Sequence, residues 1–181
     1  LIIMINALTS ALSGATSRFI TYSMGEENQN AVSKAFSTAF IIHCSLALFF
    51  LFVAETVGLW FVNNHLVIEP SRMVAANWVY QFSLLASVVA ILQVPFNASV
   101  LSYEKMDIFA IIEIVNVVLK CVIVFCLVWF PNRLIAYGGL TFVISVIISL
   151  LYAVYCIKRL EGFEFSNKFH KDIIKEMTIF A

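Results

Sequence analysis

Five predominantly apolar stretches, each about as long as an α-helix must be to cross a bilayer, dominate this chain of 181 residues. A hydrocarbon core about 30 Å thick takes about 20 helical residues, and lipid offers backbone N–H and C=O groups no partner outside the helix itself. The stretches run over about 1–24, 35–62, 71–95, 108–130 and 134–157. Hydrophobic residues make up 62 % of the sequence and charged residues 12 %, far from the usage of water-soluble domains. The expected fold class is therefore all-α, a polytopic transmembrane helix bundle.

In such a chain the position of each charge carries more information than their sum. Lys plus Arg and Asp plus Glu balance at 11 each, so there is no basic footprint for nucleic acid. Arg18, Lys34, Lys105, Lys158, Arg159, Lys168, Lys171 and Lys175 fall on one side of the membrane, against Arg72 and Arg133 on the other. By the positive-inside rule the richer side is cytoplasmic. Loops 25–34 and 99–107 and the carboxyl-terminal segment then face the cytoplasm. Within 163–181, Phe169, Ile173, Met177 and Phe180 share one face and Lys168, Lys171, Lys175 and Glu176 the other, the pattern of a helix lying on the membrane surface. Both ends of the sequence fall inside apolar runs, which reads as part of a longer protein, and the first run lacks the basic start and cleavage site of a signal peptide.

Polar residues interrupt two of the stretches in a helical pattern. In the first, Asn6, Ser10, Ser13 and Ser17 follow at three- and four-residue steps and lead to Arg18, while Ala7, Ala11 and Ala15 form an adjoining small-residue face. In the fourth, Glu113, Asn116 and Lys120 stand at i, i+3 and i+7 on one face, with Lys120 next to the midpoint. A charge at that depth costs about 2.5 to 3.5 kcal/mol, so the stripe is expected to face protein or a wet cavity. Glu113 and Lys120 are about 10 Å apart along the axis and do not neutralise each other directly. One reading has Lys120 attracting an anionic head group and Glu113 binding a proton or cation. The other has each closing a structural ion pair with a neighbouring helix. Asn77, Gln81, Gln93 and Asn97 either line the same cavity or tie helices together.

Cys44, Cys121, Cys126 and Cys156 lie inside apolar runs with no metal-ligand spacing and read as small hydrophobes. No cofactor or metal site is expected. GxSxG, HExxH, Walker and GxGxxG patterns are absent, and the loops are short, so no enzyme activity is expected.

The segments TSRFITYSMGEENQNAVSKAFSTAF and VPFNASVLSYEKMDIFAIIEIVNVVLK resemble the polysaccharide flippases of the multidrug/oligosaccharidyl-lipid/polysaccharide exporter superfamily. The chain is similar to their second to sixth transmembrane helices, with the surface helix leading to a second bundle. The most specific elements are Pro95-Phe96-Asn97 and Glu104-Lys105-Met106, with a weaker Thr16-Ser17-Arg18 followed by Gly25-Glu26. The resemblance implies part of the amino-terminal six-helix bundle of a MATE-like fold in a bacterial inner membrane. It implies alternating access that moves an undecaprenyl-pyrophosphate-linked glycan, such as an O-antigen repeat unit of lipopolysaccharide, to the outer leaflet. Arg18 and Lys120 then meet pyrophosphate or acidic sugars, and Glu113 couples transport to a proton or sodium ion. Fold does not fix substrate, and two alternatives stand beside this reading: a cation-coupled multidrug exporter of the same fold, and a noncatalytic membrane scaffold.

Overall fold

A computed structural model describes the backbone of residues 2–25 and 29–160 and the side chains of residues 13–25, 31–70 and 72–160. All regular elements among them are helical: α1 (Ile2–Gly25), α2 (Gln29–Val53), a π turn (Ala54–Gly58), α3 (Leu59–Asn64), α4 (Met73–Ser102), α5 (Met106–Cys126) and α6 (Arg133–Arg159). Short 3-10 turns at Pro70–Arg72 and Leu127–Trp129 open α4 and close α5. Among the described residues four helices are long and apolar enough to cross a membrane: Ala31–Asn64, Met73–Ser102, Met106–Trp129 and Arg133–Arg159. The first apolar stretch is the helix α1. The surface helix expected over 163–181 lies outside the described residues.

The bundle is built around α4, which packs on α1, α2, α5 and most extensively α6. Its core joins Phe96 and Val100 of α4 to Phe36 of α2, Ile112 and Ile123 of α5, and Ile144, Ile148, Tyr152 and Cys156 of α6. The ring of Phe96 lies 5.3 Å from Phe36 and 5.8 Å from Phe40 between centroids, the tilted and edge-on geometries that aromatic quadrupoles favour. On the opposite flank α5 buries only Ile112 and Ile123. Ile111, Ile114, Val118, Val122 and Phe125 all stand exposed on its outer side, a surface that is stable only against lipid or further protein.

Two interruptions shape the bundle. The third apolar stretch was expected to bend or end at Pro95, but α4 continues to Ser102. Pro95 cannot donate to the Ile91 carbonyl, yet it is fully buried, the Ser99 hydroxyl donates to its carbonyl at 2.8 Å, and the Cys156 thiol donates to the Phe96 carbonyl at 3.4 Å. Neighbouring helices and hydroxyls thus carry the helix through proline, as membrane interiors allow. The second interruption is the π turn between α2 and α3. Tyr80 of α4 donates to the Ala54 carbonyl at 2.6 Å, and a Cβ on Gly58 would collide with the same phenol oxygen. Glycine at this position is what lets the tyrosine enter the groove.

The α4–α5 connection is a tight helix end. The N–H of Glu104 donates to the Leu101 carbonyl at 3.0 Å and that of Lys105 to the Val100 carbonyl at 3.1 Å. This is Schellman pairing, and Glu104 takes the left-handed position at φ 55°. The reversal sets the start of α5 beside the end of α4, with Met106 and Phe109 on the same cleft as Ser17 and Arg18 of α1.

Candidate functional site

A cleft of about 710 Å³ opens between α1, α4 and the start of α5. From α1 it is lined by Ser13, Gly14, Ser17 and Arg18, from α4 by Ala90, Gln93, Val94, Asn97 and Leu101, and from α5 by Met106 and Phe109. The α4 lining begins at Ala90, 12 residues before Ser102, so the cleft runs about 18 Å along α4 from the α4–α5 turn.

Its walls are held by a serine clamp. The Ser102 hydroxyl is 2.9 Å from the Ser17 carbonyl and 2.8 Å from its own-helix Ala98 carbonyl, with the Ser17 hydroxyl 3.1 Å away. The three oxygens fix the register of α1 on α4 just where Ser17 and Arg18 meet the cleft. Arg18 is exposed and forms no salt bridge among the described residues. Deeper in, the Asn97 side-chain oxygen is shielded from solvent and has no hydrogen-bond partner among the described residues. Such a group is costly to leave unpaired. Among the described residues the lining contains one charge, the Arg18 guanidinium, together with two carboxamides, two hydroxyls and no carboxylate.

The chain matches no family model, no curated protein and no solved structure. The reading of the cleft therefore rests on its own chemistry.

The polar stripe of α5 begins where the cleft ends. Phe109, Glu113, Asn116 and Lys120 follow at steps of four, three and four, one helical face, and Phe109 both lines the cleft and packs on Tyr152 at 6.5 Å between ring centroids. Beyond it the half-buried Glu113 accepts hydrogen bonds from Tyr152 Oη and Asn116 Nδ2, each at 3.2 Å. Neutral donors, not a cation, hold this carboxylate. Lys120 is exposed on the same face and has no ion pair among the described residues. Neither charge closes an ion pair with a neighbouring described helix.

The four amides, expected either to line the cavity or to tie helices together, divide into two groups. Gln93 and Asn97 line the cleft. Asn77 and Gln81, at the far end of α4, do not: Asn77 Nδ2 donates to Asn63 Oδ1 at 3.1 Å and Gln81 Nε2 to Glu55 Oε2 at 3.2 Å. With Tyr80 between them, they fasten α4 to the π turn and α3. Of the α1 stripe, Ser13 and Ser17 line the cleft, whereas the side chains of Asn6 and Ser10 lie outside the described residues. Tyr152 is the neighbour of Glu113 that sequence reasoning missed. Its place four residues before Cys156 on the buried face of α6 gave a packing signal, but its pairing with Glu113, 39 residues away, is tertiary.

Proposed function

We propose that this chain forms part of a membrane transporter that moves a lipid-linked oligosaccharide from the inner to the outer leaflet of a bacterial cytoplasmic membrane. The observation that carries this reading is the polar lining of the cleft: one unpaired guanidinium, two amides and two hydroxyls at membrane depth, with no carboxylate among the described residues. Arg18 suits a pyrophosphate, since guanidinium donors match phosphate oxygens in pairs. Gln93, Asn97, Ser13 and Ser17 offer donors and acceptors for sugar hydroxyls. The resemblance of the Thr16-Ser17-Arg18 and Pro95-Phe96-Asn97 segments to polysaccharide flippases points the same way, and both segments border the cleft.

Transport by alternating access would place a second bundle against the open side, where Lys120 and the Glu113 pair stand beyond Phe109. Glu113 is then the candidate for ion coupling, with Tyr152 and Asn116 as the donors that stabilise its charged form. A cation-coupled drug exporter would instead call for carboxylates in the cleft. A purely structural scaffold would leave no reason for Arg18 and Asn97 groups that have no partner among the described residues.

The test is export of the surface glycan in cells carrying Arg18→Gln or Asn97→Ala. Losing a charge-assisted contact of about 1.5 to 3 kcal/mol predicts at least about a ten-fold drop in export for Arg18→Gln, with lipid-linked units accumulating on the cytoplasmic leaflet and membrane protein levels unchanged. Normal glycan with altered drug sensitivity would favour the drug exporter. Normal glycan and normal drug sensitivity in both variants would overturn the transport reading.

A further inference from the structure

A second groove, of about 290 Å³, lies on the outer flank of the bundle between α5 and α6. Its walls are Ile108, Ile112, Leu151 and Val154, and its mouth holds Tyr155, Lys158 and Arg159. We propose that this groove binds an anionic phospholipid of the surrounding bilayer, with an acyl chain between α5 and α6 and its phosphate on Lys158 and Arg159.

Three observations select that occupant. The walls are aliphatic, and Leu151 and Val154 are 41 % and 48 % exposed, so the groove opens toward the lipid-facing side and not into the polar cleft. From Leu151 to Arg159 it extends about 12 Å along α6, the scale of part of an acyl chain. At its end, Lys158 and Arg159 occupy the last turn of a helix of 27 residues, about 40 Å long, which sets them at head-group level beyond a core of about 30 Å.

Both cations are exposed and neither is salt-bridged among the described residues. Basic pockets between transmembrane helices are the usual receptors for anionic head groups. A soluble phosphate would use the two charges but gain nothing from the aliphatic walls. The inference is independent of transport, because no residue that lines this groove lines the cleft.

Native mass spectrometry of the purified full chain, titrated with phosphatidylglycerol or phosphatidylcholine, tests it. The unaltered protein is expected to retain phosphatidylglycerol on the order of ten-fold better, and Lys158→Gln/Arg159→Gln is expected to abolish that preference. Val154→Trp, which fills the groove and leaves the charges, should reduce retention of both lipids at an unchanged melting temperature. Equal retention of the two lipids by the unaltered protein would overturn the proposal. So would a preference that survives the double substitution, or displacement of phosphatidylglycerol by millimolar inorganic phosphate, which would mark a free-anion site.

Discussion

Glu104 sits where glycine is the usual choice. At φ 55° its Cβ costs about 1 to 2 kcal/mol relative to a residue without one, part of which glycine would return as backbone entropy in the unfolded chain. Glu104→Gly is therefore expected to be neutral or to gain up to about 1 kcal/mol, while Glu104→Val should be clearly destabilising because a β-branched side chain tolerates this region poorly. Melting temperatures in detergent give the order, and a valine variant as stable as the glycine variant would contradict it. Tyr152 supports a second prediction. Its hydroxyl donates to the half-buried Glu113, so Tyr152→Phe should cost about 1.5 to 3 kcal/mol, as for bonds to charged groups. The loss should shrink in a Glu113→Gln background, and strict additivity of the two substitutions in a double-mutant cycle would argue that the bond contributes nothing.

Helices and their interruptions differ in how far sequence alone reveals them. The lengths of the apolar runs at 108–130 and 134–157 forecast α5 and α6 closely because bilayer thickness imposes them directly. Pro70 opens the turn that leads into α4, where its missing N–H is harmless. Pro95 misled, since what carries α4 past it comes from packing, from Ser99 and from Cys156, which reaches Phe96 from 60 residues away in sequence. The π turn was equally hidden, for it depends on Tyr80 entering beside Gly58. Gly58→Ala is expected to force the two apart and cost about 1 to 3 kcal/mol, as overpacking does. Adding Tyr80→Phe removes the colliding oxygen and should recover part of that loss. If alanine at Gly58 left the thermal stability unchanged, the tyrosine would not be wedged there as described.

For the molecule as a whole, membrane residence was legible in composition, and the cleft only in part. The steps of Ser13, Ser17 and Arg18 pointed to one wall, but which amides of α4 completed it depended on where the helix crosses α1. Gln93 and Asn97 share the cleft, while Asn77 and Gln81 are spent on Asn63 and Glu55. The proposed orientation yields a direct test. With Cys44, Cys121, Cys126 and Cys156 replaced by alanine, a cysteine at the exposed Val67 should react with a membrane-impermeant thiol reagent on intact cells, and one at Glu104 only after lysis. The opposite result would invert the assignment of loops.

The hydrogen bond between Tyr152 and Glu113 also bears on how the chain enters a membrane. About a dozen aliphatic and aromatic residues of α5 favour insertion by about 0.3 to 0.6 kcal/mol each, whereas Lys120 and Glu113 oppose it by up to about 3 kcal/mol apiece. The sums are comparable, so α5 leaving the ribosome is poised between bilayer and water. Tyr152 emerges 39 residues after Glu113 and brings the carboxylate its partner. Commitment of α5 to the bilayer is thus expected to wait for synthesis of α6, and a truncated nascent chain ending at Asn132 should be extracted more readily by alkaline washing than one ending at Arg159.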